Sequence, residues 1–227
     1  MTLKLYFHPL SSFCHKPLIA LYEHNVAFEP VVVDLGSPED RAAFAAVWPL
    51  LKFPAMRDEK RGQTVAESSA VVVYLDTFYR GASPLIPTDP DGAWQAHMWD
   101  QFCDNYLQVP MQKITGDNFR PEGGRDPVGC DQARTLILNA YDILETRLKG
   151  RQWMLGDAFT LADCAASPAL FYADLVAPIT AKTPGVSAYL DRLIARPSYA
   201  RALKEAEPFF HMVPNPVKPT LNRAHHR

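Results

Sequence analysis

The chain has 227 residues, with 23 basic against 25 acidic side chains for a net charge of −2, and 48% of it is hydrophobic against 21% charged. That mixture is typical of soluble globular proteins, and it excludes a disordered chain, a fibrous repeat and a coiled coil. The even charge balance also excludes nucleic acid as the main partner, since no basic stripe is present to neutralise phosphates.

Alternation at Leu3, Leu5 and Phe7 predicts a short strand with one buried face. Ser11-Ser12 then precede the apolar-periodic residues Cys14, Leu18, Leu21 and Tyr22. These predict a helix that starts at residue 13 or 14 and ends near 25, with Pro17 tolerated in the first turn. Valine-rich residues 28–33 predict a second strand. Ser37-Pro38-Glu39-Asp40 combines a cap, a proline at the first helical position and acids facing the dipole, so a helix runs from there to about residue 47. Residues 53–56 and 64–66 read as two short strands around a charged turn, and Glu67-Ser68 opens a helix reaching about Tyr79. The order strand, helix, strand, helix, strand, strand, helix is that of the thioredoxin-like fold.

Three prolines between Ser83 and Pro90 mark a linker. Beyond it helical spacing dominates, through Trp94, Met98 and Phe102, then residues 136–148, 161–175 and 186–194, with a loop around Gly123-Gly124. The expected architecture is an α/β thioredoxin-like domain over 1–82, a linker over 83–90, an all-α domain over 91–210 and an irregular tail over 211–227. Trp94, Trp99, Phe102 and Tyr106 are expected mostly to pack the helical core. Cys14, Cys103, Cys130 and Cys164 stand too far apart for a zinc knuckle or a dense disulfide framework, which points to reduced thiols in a reducing compartment. His225-His226 are too few for a metal site, and no metal is expected. No segment approaches the ~20 apolar residues of a membrane span. The N-terminal apolar run is also too short for a signal peptide, so no membrane association and a cytoplasmic location are expected.

Ser11-Ser12-Phe13-Cys14 lies between the first strand and the first helix, where unpaired N–H groups and the positive end of the helix stabilise an anion such as a thiolate. A serine there cannot shuttle disulfides, but it can donate a hydrogen bond to a thiolate that a ligand supplies; it can also be a plain helix cap. Lys52-Phe53-Pro54-Ala55 puts a proline at the entry to a short strand, where a cis bond would turn the Phe53 backbone outward to pair with an extended ligand. Glu67-Ser68 at the next helix start pairs a carboxylate with free N–H groups and a hydroxyl, a set that suits an amino-acid head group as well as ordinary capping. Tyr6 is the rival hydroxyl for the thiolate. Cys14 is expected to be buried, and His8, next to Pro9, to be a surface residue.

Together these motifs, with Ile19-Ala20-Leu21, Tyr74-Leu75, Thr160-Leu161-Ala162-Asp163 and Arg196-Pro197-Ser198, resemble those of the soluble glutathione transferases over most of the chain. The resemblance implies glutathione as co-substrate, a small hydrophobic electrophile as second substrate, and a homodimer. It implies Ser11, or less readily Ser12, as the thiol activator. The Phe53 backbone beside cis-Pro54 would meet the cysteinyl unit, Glu67 and Ser68 the γ-glutamyl head, and Lys52 the glycyl carboxylate. Thr160 and Asp163 would form a buried capping box. His15 and Lys16 stand where the family often carries a basic pair and are expected to keep its electrostatic role. The chain departs from the family at Pro17 and at Trp48-Pro49-Leu50-Leu51, where bulky residues replace an asparagine-proline and glycine pattern. The alternatives are a glutathione-dependent peroxidase, dehalogenase or isomerase, or a binding protein without turnover, which Trp48 and Leu51 favour.

Overall fold

The computed structural model describes residues 2–221; the His225-His226 pair lies outside the described residues. Strand β1 (Leu3–Phe7) leads into helix α1 (Ser12–Glu23), followed by β2 (Glu29–Val32), α2 (Pro38–Val47), β3 (Ala55–Asp58), β4 (Gln63–Ala66) and α3 (Ser68–Phe78). The sheet order is β2-β1-β3-β4. Strand β1 runs parallel to β2, with Tyr6 opposite Val31, and antiparallel to β3, with Tyr6 opposite Ala55. The short β2 is largely exposed and carries Pro30, which only an edge strand accommodates.

The period of two in β1 sorts its side chains between two cores. Leu3, Leu5 and Phe7 join α1 and α3 in the main core, whereas Tyr6 faces the small cluster of Val33, Phe44 and Ala55 beneath α2. Its ring stacks on Phe44 at 5.9 Å. Trp48 and Leu51 pack into that same cluster, Leu51 from a left-handed φ of 54°. Their bulk is therefore spent under the sheet.

Helix α1 begins one residue earlier than its periodicity suggests, so Pro17 is its sixth residue and stands inside the helix. The missing N–H leaves the Phe13 carbonyl without its usual partner four residues on. At the far end Asn25 takes φ 51°, a left-handed stop that asparagine tolerates. Helix α2 starts as its sequence signals, with the Ser37 hydroxyl accepting from the Asp40 N–H at 3.3 Å.

The proline-rich stretch is pinned at Leu85, through both its N–H and its carbonyl. The Leu85 N–H donates to Asp76 at 2.6 Å, and its carbonyl accepts from the Leu161 N–H at 2.8 Å. Helices α4 (Pro90–Cys103), α5 (Val109–Asp117), α6 (Pro127–Arg147), α7 (Leu161–Ala173), α8 (Pro184–Ala195) and α9 (Pro197–Ala206) follow. A π-helical turn, Asp104–Gln108, joins α4 to α5, and a 3-10 turn, Glu207–Met212, follows α9. Every residue of α7 is buried, which is why this stretch is apolar all round, and the helix packs against α1 and α4. Of the four aromatics expected in the core, Trp99 is buried and Phe102 packs on it. Trp94 and Tyr106, by contrast, are 56% and 45% exposed. Trp94, Trp99 and Phe102 sit on α4 and Tyr106 on the π-helical turn after it, and the four do not all fall on one core-facing stripe.

Candidate functional site

Ser11 is the residue before the first turn of α1, with φ −71° and ψ 112°, and its side chain makes no capping hydrogen bond. Its backbone closes a tight turn instead. The Ser11 N–H donates to the His8 carbonyl at 2.9 Å, while its own carbonyl accepts from the Cys14 N–H at 2.8 Å. The hydroxyl lies beside the Cys14 sulfur. Ser12 is the first helical residue and is nearly buried.

Both serines line a cleft of about 430 Å³. Its near wall is His8, Leu10 and Phe53, and its far wall comes from α5 and α7 with Met111, Thr115 and Tyr172. The segment Met212 to Asn215 closes one side. Beyond Met212 that segment has no regular structure, but Asn215 ties it down. Its side-chain oxygen accepts from Asn118 at 3.0 Å and its amide donates to Thr115 at 3.3 Å. A buried amide with both ends satisfied is how an irregular strand lies against helices without orphaned polar groups.

The charges near Ser11 behave differently from the sequence expectation. His15 is fully buried, and its Nε2 sits 2.7 Å from the Pro9 carbonyl. Burial lowers its pKa to about 4, against the opposing pulls of Pro9 and Glu205, so the ring is neutral and donates that bond. Lys16 is buried too, and burial works against its charge. Asp104 and Asp100, each 2.7 Å from the ammonium, more than reverse that and keep it charged. Its third bond goes to the Ser69 hydroxyl at 3.0 Å, which fastens the start of α3 to α4. Neither member of the basic pair presents a free charge to a ligand; one is neutral and the other is consumed. Burial pushes the Cys14 thiol up to about 12, despite the hydrogen bonds from Ser11 and His8, so it is an inert, protonated side chain.

Phe53 precedes a cis peptide to Pro54. Among the described residues no turn or loop backbone hydrogen bond involves Phe53, and the residue lines the cleft. Lys52 beside it is exposed. Glu67 takes φ 69° and ψ 125° at the head of α3 and is exposed, while Ser68 behind it is buried. A non-glycine residue in that region of φ is costly and is held only where the surroundings over-determine it. The first N–H groups of α3 have no side-chain cap, so they remain available to an acceptor.

The cleft therefore brings Ser11, Ser12 and Phe53 together, with Pro54 buried directly behind. Lys52, Glu67 and Ser68 are not among its lining residues; Lys52 and Glu67 are exposed and Ser68 is buried. Tyr6 is also outside it, turned toward α2. Sequence reasoning missed His8, Tyr172 and Asn215 as lining residues, and nothing local to any of them signals that role. Among the described residues no three His, Cys, Asp or Glu side chains converge on one point.

Two family models match the chain: glutathione S-transferase N-terminal domain over residues 5–83, and glutathione S-transferase C-terminal domain over residues 123–192. Glutathione S-transferase PARB of Nicotiana tabacum is 26% identical over 214 residues, covering 91% of this chain and all of that one. Protein LigF of a Sphingobium species is 26% identical over 91% of this chain and 95% of its own. Its crystal structure, described as a β-etherase, superposes with a TM-score of 0.77. A glutathione S-transferase of Methylobacterium radiotolerans, solved with glutathione sulfonate, is 30% identical with a TM-score of 0.75, covering 88% of this chain and 93% of that one.

Proposed function

The chain belongs to the glutathione S-transferase family, and on that premise we propose that it conjugates the thiolate of glutathione to a small hydrophobic electrophile in the Ser11 cleft. The observation that carries the reading is the Ser11 hydroxyl, free of any capping bond at a helix N-terminus and opening onto the cleft beside Phe53.

A free thiol has a pKa of about 8.5, and lowering it by two units requires about 2.7 kcal/mol. A hydrogen bond to a charged acceptor supplies about 1.5–3 kcal/mol and the helix end about 0.3–1 kcal/mol, which together suffice. The neutral Cys14 thiol is a far weaker acceptor than a thiolate, so the Ser11 hydroxyl turns to the ligand sulfur once glutathione is bound. In this reading the thiol proton leaves to solvent, the sulfur attacks the electrophile, and the cleft excludes water around the forming bond.

The tripeptide runs along the open face in the same proposal. The Phe53 backbone beside Pro54 pairs with the cysteinyl unit, and the α3 N–H groups with Ser68 hold the γ-glutamyl carboxylate. Glu67 accepts from its ammonium, and Lys52 meets the glycyl carboxylate. Ser12, being nearly buried, is the weaker candidate for the sulfur. The unit over 1–82 then binds glutathione and the helices over 91–210 shape the electrophile pocket. The reading extends to a cytoplasmic, detoxifying homodimer, supported by the family and by four cysteines that are all free.

The test is a titration of glutathione into the protein, following thiolate absorbance against pH. The expected result is a bound thiol titrating about two units below its free value, in a particle whose sedimentation mass is twice that of the chain. No binding, or a bound thiol with an unshifted pKa, overturns the activating role. A single-chain mass at micromolar concentration overturns the dimer.

A further inference from the structure

Beside the two serines, the polar groups of the cleft are few. Thr115 and Asn215 bond each other, Gln112 is exposed to solvent, and the Tyr172 hydroxyl is shut off from solvent behind the wall. His8 remains. It follows β1 directly and shares a turn with Ser11, through the Ser11 N–H bond to its carbonyl. Its Nδ1 accepts from the Leu10 N–H at 3.2 Å, so in the neutral ring the proton is on Nε2. The ring stacks on Phe53 at 6.3 Å and meets the edge of Phe209 at 5.5 Å, which holds its orientation. Among the described residues Nε2 has no protein partner. Burial lowers the pKa of His8, with Asp34 pulling the other way, so the ring stays neutral at pH 7. With Nδ1 occupied and Nε2 protonated it cannot take a proton; it can only donate a hydrogen bond.

We propose that His8 is a second catalytic residue of this cleft, donating its Nε2–H to the oxygen on which negative charge gathers as the carbon–sulfur bond forms, and so selecting electrophiles that develop charge on oxygen. The proposal rests on the reading that the same cleft activates the glutathione sulfur. With an α,β-unsaturated ketone, a sulfur lone pair forms the carbon–sulfur bond. The alkene π electrons move to the carbonyl oxygen as an enolate, and solvent later protonates the enolate. His8 keeps its own proton throughout and lowers the cost of the enolate. A fixed donor in apolar surroundings is strong because it needs no reorganisation when the charge appears.

The test compares wild type, His8→Phe and His8→Gln on an α,β-unsaturated ketone and on benzyl chloride, whose departing chloride places no charge on oxygen. In His8→Phe, kcat/KM for the ketone should fall about tenfold or more, and for benzyl chloride by less than about twofold. His8→Gln, which retains an N–H donor, should recover most of the loss. Glutathione affinity and the bound thiol's pKa should not move. Equal losses on both electrophiles, no loss on either, or a wild type that accepts only benzyl chloride overturns the role of His8. A wild type that binds glutathione without shifting its thiol overturns the reading beneath it instead.

Discussion

Ser11 before α1 and Thr160 before α7 occupy the same kind of position, an extended hydroxyl residue leading into a first helical turn, with φ of −71° and −134°. At the head of α7 the capping groups find their partners inside the protein. The Asp163 carboxylate accepts from the Thr160 N–H at 2.9 Å, the Thr160 hydroxyl at 3.1 Å, the Met154 N–H at 2.8 Å and the Tyr189 hydroxyl at 2.5 Å. At α1 no acid stands in the first turn, and the serine is left with only a neutral thiol beside it. A hydroxyl residue at the same helical position is structural where a carboxylate lies three residues on, and is left without a capping bond where none does. The capping box is expected from the sequence and forms; its buried carboxylate also anchors the Met154 loop and α8, which no local pattern announces.

The contrast breaks most visibly at α7. Asp163→Ala should cost about 4 kcal/mol, because several buried donors lose their acceptor at once. Urea denaturation measures this, and a loss below about 1 kcal/mol would mean the box is ornamental. The α1 turn should respond to pH instead. His15 is held neutral with a pKa of about 4, whereas the unfolded chain titrates near 6.5. Below pH 6.5 the unfolded state takes up a proton that the native state refuses, so stability is lost as pH falls from 6.5 to 4. That loss amounts to about 3 kcal/mol relative to His15→Gln, read from unfolding curves at stepped pH. The smallest change in free energy is expected from Ser11→Ala. Turnover should fall about thirtyfold, about 2 kcal/mol in the transition state, while stability shifts by less than about 0.5 kcal/mol, because no cap is lost. A variant that unfolds more easily but turns over normally would make Ser11 a cap after all, and the contrast with Thr160 would vanish.

Much of the fold was legible because its signals are local. The alternation of Leu3, Leu5 and Phe7, the Ser37-Pro38 helix start and the Thr160–Asp163 spacing each act within about four residues, the reach of a helical hydrogen bond or a strand pleat. The site was legible only in part. Ser11 and Phe53 line one cleft, and His8, Tyr172 and Asn215 line it too without any local signal, since a lining residue needs only to end up facing a space.

Sequence alone determined the order of elements, the proline-rich break and the serine at the head of α1, because backbone bonding and periodicity depend on near neighbours. Tertiary structure alone decided which face of β1 holds Tyr6, why Trp94 and Tyr106 stand in water, and what becomes of Lys16. That last charge is answered by Asp100, 84 positions along the chain. Burial and ion pairing are set by whatever the fold brings alongside, and no window of sequence contains both partners.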